Sequence, residues 1–452
     1  MLSNDTYISK WHPPIGLKLT PIELTERVLV FFVTLTYSGL WVALLLGPST
    51  ESPGMMEVDP GPVARASWFP AYLCLLGLLA VKYKQFFAAI IRFWPVLLLI
   101  LLTFLSITWS INPEITQRRV IALSFTFFFG MYLAIRAPFL DTLKIIAIAY
   151  LCIAIINLLV IVGIPSWGIH SELHVGAWRG FMLEKNHMGG EMARANLLFL
   201  ALLFYDGKHD NGDIKKIWWV GLGLTFLLVL GSTSKTSLIA MIVPYLGLVF
   251  YQIAIRTPIL AIIAIWVGLS IAGIGYAVLA IAPEFVVSLI GKDLTFTGRT
   301  DIWILVIDLI NQHKFTGYGY GVFWKDPDGP SADIVTILDW KVPTAHNSWL
   351  EIGLSLGYTG LALVVVFTLF GLIKGAFLAT GKHGPFPFLI VFQLVLFSLS
   401  ESLLLTQNSS SSALFFYALS YICIARKIAP DLDIPKISAP RWAQKPRTTR
   451  RR

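Results

Sequence analysis

Long apolar runs alternate with short polar breaks along the chain. A helix that crosses a bilayer needs about 20 mostly apolar residues. Twelve stretches approach that length: 28–46, 67–82, 93–109, 120–135, 144–163, 188–205, 217–231, 236–255, 258–282, 347–373, 386–404 and 412–425. Most breaks between them are too short to hold a folded unit. The exception is 283–345, between the ninth and tenth spans. There Ile302, Trp303, Leu305, Val306, Leu309 and Ile310 recur at helical spacing, opposite Asp301, Asp308, Asn311 and Gln312. That pattern predicts an amphipathic helix lying on the membrane surface or roofing a cavity. The predicted order is a polar segment (1–27), nine spans (28–282), the loop (283–345), three spans (346–425) and a basic tail (426–452).

Composition supports this pattern. The 452 residues are 56% hydrophobic and 13% charged, about half the charge of a soluble domain. That excludes a disordered chain and argues against a soluble enzyme. The formal net charge of +9 would suggest nucleic-acid binding on a soluble protein. Here it reads as topology. With the N-terminus on the inner side, 23 of the 35 Lys and Arg fall in inner loops and in the tail, as the positive-inside rule requires. An even number of spans returns the tail to that side. Cys74, Cys152 and Cys423 each lie within an apolar run and read as packing residues, not as a disulfide framework. The N-terminal segment does not read as a signal peptide, because the apolar run after it is too long.

Twelve basic residues remain on the outer side, and several sit at helix ends. Arg118 and Arg119 either snorkel to lipid phosphates or contact substrate. Arg179, Lys185, Lys235 and Arg299 fall on one outer rim. Lys235 lies in the turn Ser232–Ser237, where it could cap helix carbonyls or bind a ligand. Glu191 and Arg194, three residues apart, fit an ion pair on one helix face slightly better than a substrate contact. His170 and His174 are spaced for zinc, but no strong ligand set accompanies them. The serines 409–412 read as a polar turn. Four cations on one rim without an acidic metal motif suit a phosphate-bearing ligand, such as a lipid-linked sugar diphosphate whose tail lies between the helices.

At these residues the sequence resembles the O-antigen ligase / Wzy-type polysaccharide polymerase superfamily, closest to its exopolysaccharide-production branch. The resemblance rests on Leu105–Pro113 with Thr116–Arg119, Trp178–Gly180, Lys185-Asn186, Ser232–Thr236, Thr297–Trp303, Gly317–Gly321 and Ala345–Glu351. It implies an all-α polytopic membrane protein of about twelve helices, GT-C-like, in the bacterial inner membrane with both termini cytoplasmic. The implied activity is metal-independent transfer of an undecaprenyl-diphosphate-linked oligosaccharide at the periplasmic face, with no cofactor. An exopolysaccharide polymerase is favoured over an O-antigen ligase that joins polymer to lipid A core.

By motif, Lys185, Lys235 and Arg299 would hold the donor diphosphate, with Arg179 on the same rim. His346 would orient or deprotonate the acceptor hydroxyl; an imidazole, with an ordinary pKa of about 6.5, suits that work. Arg118, Arg119, Arg194, Trp303, Tyr318, Tyr320, Asn347 and Glu351 are further candidates for substrate contact. Expected partners are the lipid-linked donor, a glycan or lipid-linked acceptor and membrane lipid, with chain-length regulators or export proteins as candidates and no nucleic acid. Many ligases carry arginine where this chain has Lys235, which keeps the charge but loses the planar fork. The rival from another class is a twelve-span transporter or lipid flippase. Such carriers usually show two similar halves and midplane charges, and no halves repeat is visible here.

Overall fold

The computed structural model describes residues 20–47, 61–136, 139–171, 174–205, 212–257, 299–325, 329–340, 342–379 and 384–425, with a few helical positions between 259 and 270. Among these residues there is no β-strand, only an isolated bridge between Ile169 and Trp178. The helices are α1 (Pro21–Tyr37), α2 (Leu40–Leu46), α3 (Gly61–Ala66), α4 (Phe69–Val81), α5 (Tyr83–Arg92), α6 (Trp94–Leu105), α7 (Pro113–Ile135), α8 (Phe139–Gly163), α9 (Pro165–Gly168), α10 (Lys185–Tyr205), α11 (Gly212–Gly231), α12 (Lys235–Arg256), α13 (Arg299–Gln312), α14 (Ser331–Leu338), α15 (Ser348–Ala379), α16 (Phe386–Ser398) and α17 (Ser410–Ile424).

The chain is an all-α polytopic membrane protein. Among the described residues, α7, α8, α15 and Lys235–Ala254 of α12 are each long and apolar enough to cross a bilayer. A fifth span arises if α4 and α5, bent by 92°, form one broken segment. Each predicted span except 258–282 coincides with a helix, although several helices are shorter than a full crossing. Most of 258–282 lies outside the described residues. Leu159, Val162, Trp219, Leu246 and Phe377 project outward from the bundle, as side chains facing lipid do. Inside, α7 runs along α17, and α10 along α11 and α12. Helices α7 and α17 approach closely at Gly130, where a Cβ would lie 2.6 Å from Phe416 Cβ.

Four predicted elements differ from expectation. The first span, 28–46, is divided between α1 and α2 at Gly39 (φ 79°). The stretch after α4, expected as a loop, is the amphipathic helix α5. Its apolar Phe87 and Ile91 are exposed beside Lys84 and Arg92, as in a helix that lies along a membrane interface. The eleventh span ends at Ser398, not 404, and 399–409 is irregular. The tenth span, expected as one helix, breaks at Gly357 (φ 63°, ψ −167°). There Tyr358 N donates to Lys314 O at 2.6 Å instead of to Leu354 O, four residues back. A Cβ at Gly357 would lie 2.6 Å from that same Lys314 O, so only glycine fits.

The break frees main-chain carbonyls of α15, and the glycine–tyrosine segment uses them. Tyr318 N donates to Leu354 O (2.8 Å) and Gly319 N to Ser355 O (3.1 Å). Gly317 (φ 64°) passes so near that a Cβ would meet Leu354 O at 2.6 Å. The predicted amphipathic helix is α13. It buries Ile302, Val306, Leu309 and Ile310 against Tyr318, Phe323, Ile334, Val342, Ala345 and Leu354. This small second core is a roof fastened to the broken end of α15.

At the far end of α7 a charged network ties the bundle together. Arg136, 3% exposed, pairs with Asp141 at 2.7 Å and lies 3.5 Å from Glu26. Glu26 also pairs with Lys82 (3.1 Å), at the α4–α5 bend, and Asp141 with Arg27 (2.9 Å). Removing one member of such a set leaves its partners buried and uncompensated. Arg136→Ala is expected to destabilise the protein by about 3–5 kcal/mol, measured by thermal unfolding in detergent. An unchanged midpoint would show that the network is dispensable.

Candidate functional site

Lys185 and Lys235 are the first residues of α10 and α12, and Arg299 is the first described residue of α13. A helix N-terminus carries partial positive charge from its unpaired N–H groups, so a cation there is disfavoured by about 0.3–1 kcal/mol. Neither α10 nor α12 has an acidic residue in its first turn. Helix termini that repel their own first side chains are suited to an anion.

Local sequence builds each position. Ser234 caps α12 by accepting from Ser237 N at 3.3 Å, and Thr233 turns the chain with φ 52°. Lys235 is left exposed. This turn packs on the start of α10, where a Cβ at Gly189 would lie 2.6 Å from the Ser232 and Ser237 hydroxyls. Trp178 N donates to Gly231 O at 2.9 Å, which brings the Arg179 loop to the same rim. Arg179 Nε donates to Trp167 O at 2.8 Å.

Glu401, on the irregular stretch after α16, joins these parts. Its Oε1 accepts from Arg299 Nη2 (3.2 Å) and Asn186 Nδ2 (3.1 Å), and its Oε2 lies 3.6 Å from His346 Nδ1. Arg299 Nη1 also donates to Ser400 O. The 3.6 Å contact is too long for a hydrogen bond and becomes a charge pair when His346 is protonated. Burial pushes the Glu184 carboxyl up from its usual value, with Glu401 adding to the rise and Arg179, His346 and Lys185 opposing it. Charges from α10, α13, the 165–184 loop and the 399–409 stretch therefore share one neighbourhood.

His346 holds a left-handed backbone, φ 48°, which costs a non-glycine residue about 1–3 kcal/mol. Its neighbours hold that conformation in place. Ala345 N donates to Glu351 Oε1 (2.6 Å), and Ala345 O accepts from Trp303 Nε1 (2.8 Å). Asn347 Oδ1 caps α15 by accepting from Trp349 N at 2.9 Å. Trp303, Glu351 and Asn347, expected as substrate contacts, also anchor the histidine segment.

The other candidates lie elsewhere. Tyr318 and Tyr320 are buried, with their hydroxyls on Leu309 O and Leu405 O. Arg118 is half exposed and pairs with Glu114 at 3.6 Å. Arg119 donates to Gly321 O. Arg119, Tyr320 and Glu351 line a cleft of about 90 Å³ next to the 344–346 segment. Arg194 forms a buried ion pair with Glu191 at 2.7 Å. Glu191 also accepts from Tyr150 (2.9 Å) and Ser410. The serine run opens α17, whose first residue is Ser410.

Glu184 and Glu401 stand in the sequence as polar groups at outer helix ends, without an assigned role as counter-charges to the cations. The structure gives them that role, because half-buried cations converging in one place need counter-charges nearby. The available signal was Glu401 itself, an acid closing a long apolar run. His170 and His174 meet edge to face at 5.8 Å. Among the described residues no three His, Cys, Asp or Glu side chains group as a metal would need.

Residues 220–365 match the family model of the O-antigen ligase domain, Wzy_C. The matched stretch holds Lys235, Arg299, Trp303, Tyr318, Tyr320, His346, Asn347 and Glu351. Arg179, Lys185 and Glu401 lie outside it. No curated protein sequence matches the chain.

His170 supplies a pH test of the rim. Burial, with Arg179, His174 and Lys185 nearby, holds its imidazole down at about 4. In the unfolded chain an imidazole takes its proton near pH ~6.5, so the unfolded state binds more protons between these values. The stabilisation is complete above that pH and is lost as pH falls through about 4. Amides 168–170 and 177–180 should lose protection from hydrogen exchange between pH 7 and 5, after correction for intrinsic rates. His170→Gln should remove the dependence; identical profiles would contradict the assignment.

Proposed function

Because the chain belongs to the O-antigen ligase / Wzy-type polysaccharide polymerase superfamily, we propose that it transfers glycan from an undecaprenyl-diphosphate-linked oligosaccharide at the periplasmic face of the inner membrane. The observation that most supports this is the contact of Glu401 with Arg299, Asn186 and His346. It sets a base beside a group of cations at helix N-termini. Arg179, Lys185, Lys235 and Arg299 are the donor diphosphate ligands. Glu184 and Glu401 offset part of their charge before donor binds.

The reaction is a displacement at the anomeric carbon. The acceptor hydroxyl oxygen attacks that carbon as the bond to the diphosphate oxygen breaks. The bonding pair leaves with the lipid diphosphate, and the cations stabilise the charge that develops there. The hydroxyl proton passes to His346 Nε2. Glu401, facing Nδ1, stabilises the imidazolium. One direct displacement inverts the anomeric configuration. The fixed cations fill the role that a divalent ion fills in other transferases.

The preferred acceptor is another lipid-linked repeat unit, which makes the chain an exopolysaccharide polymerase. Lysine at position 235, where many ligases carry arginine, supports this. The description of the matched domain favours the second reading, an O-antigen ligase acting on lipid A core. Transport is less well supported, since the cations gather at helix ends rather than at the midplane. The buried Glu191–Arg194 pair neutralises itself.

Glycan analysis of a deletion strain separates the first two readings. Loss of secreted polymer with intact lipopolysaccharide identifies a polymerase, and accumulated polymer unattached to lipid A core identifies a ligase. In the same strain, His346→Ala and Arg299→Ala are expected to restore no product while inserting normally. Full activity in His346→Ala would remove the histidine from the mechanism. Transfer in membranes treated with chelator should continue unchanged, and loss reversed by a divalent ion would overturn metal independence.

A further inference from the structure

The cleft beside the histidine segment differs from the rim in its chemistry. Thr344, which accepts from His346 N at 3.2 Å, is part of its wall, and so is Ser402, next to Glu401. The cleft therefore adjoins the reacting centre. None of Arg179, Lys185, Lys235 or Arg299 lines it. Its charged members are one cation, Arg119, and one carboxylate, Glu351. A wall of balanced charge does not select an anion. It offers both donors and acceptors to a neutral polyol.

The remaining polar groups fit the same ligand. Trp324 is half-buried, and its indole is fixed by Nε1 donating to Glu351 Oε1 and Oε2 at 3.0 and 3.1 Å. A held aromatic face beside hydrogen-bonding side chains suits the apolar face of a sugar ring. Gln407 joins the wall, with Oε1 accepting from Tyr320 at 3.3 Å. Ser355 adds a hydroxyl. The volume of about 90 Å³ is well above the ~10–15 Å³ that admits one water, so the cleft has room for a small polar ligand.

We infer that this cleft, walled by Arg119, Trp324, Thr344, Glu351 and Gln407, is the subsite for a neutral sugar ring of the acceptor glycan. It sets the acceptor hydroxyl at His346 from the side without the cations. The inference rests on the transferase reading, but it concerns a separate ligand and separate residues.

Saturation-transfer NMR on the full-length protein in lipid nanodiscs tests it, with glucose, galactose and N-acetylglucosamine as probes and inorganic pyrophosphate as the rim probe. At least one sugar should receive saturation from the wild type. Gln407→Ala and Trp324→Ala should each reduce that signal at least five-fold at an unchanged melting temperature. Trp324→Phe, which keeps the aromatic face, should retain part of it. Lys185→Ala should leave the sugar signal intact and weaken pyrophosphate binding. No signal from any sugar, equal signal in Gln407→Ala and Trp324→Ala, or full displacement of sugar by pyrophosphate would overturn the subsite. Unaltered pyrophosphate binding in Lys185→Ala would instead count against the diphosphate rim and leave the sugar result to be judged on its own.

Discussion

The site depends on one carboxylate. Glu401 sits between Arg299 on the roof, Asn186 at the start of α10 and His346 before α15. Those residues are far apart in sequence and belong to elements that pack in different parts of the bundle. Half-buried cations repel one another and lose hydration, so they stay together only if an anion offsets both effects. Glu401, with Glu184 nearby, does this while the site holds no ligand. In the proposed reaction the donor diphosphate would take over the same role.

The roof has a second constraint, the break in α15. A continuous helix would have used Leu354 O for its own Tyr358 N–H. The break at Gly357 hands that carbonyl to the glycine–tyrosine segment. That segment carries α13, and α13 carries Arg299 and Trp303. Trp303 then fixes the carbonyl before His346. The chain of contacts runs from one glycine in a span to the backbone of the proposed base. Glu351 fixes the N–H of the same alanine, so strain at His346 is held from both sides. Precise placement of a base and an electrostatic site is worth more in catalysis than either group alone.

Much of the architecture was legible in the sequence, because lipid imposes a simple rule on apolar length. Helices appear at the predicted spans that are described, and α13 spans the predicted amphipathic stretch. The misses have physical causes. The break at Gly357 arises from a loop donor that no periodicity encodes. Helix α5 looks like a charged loop because its Lys84 and Arg92 interrupt the apolar residues, although Phe87 and Ile91 still share a side. In the site, the cations were legible because outer-side basic residues violate a topological preference. Glu401 stands out as an acid closing an apolar run, but its pairing with those cations was not legible, because acids outside break no such rule. Tyr318 and Tyr320 drew attention as a motif, but their hydroxyls go to main-chain carbonyls.

The most direct test of the central coupling is a double-mutant cycle on Arg299→Gln and Glu401→Gln, reading initial rates of glycan transfer in reconstituted membranes. If the pair acts as one unit, each single variant should lose most of the rate, and the double variant should be no slower than the worse single one. Losses that multiply in the double variant would mean that the two residues act independently and that Glu401 does not organise the site.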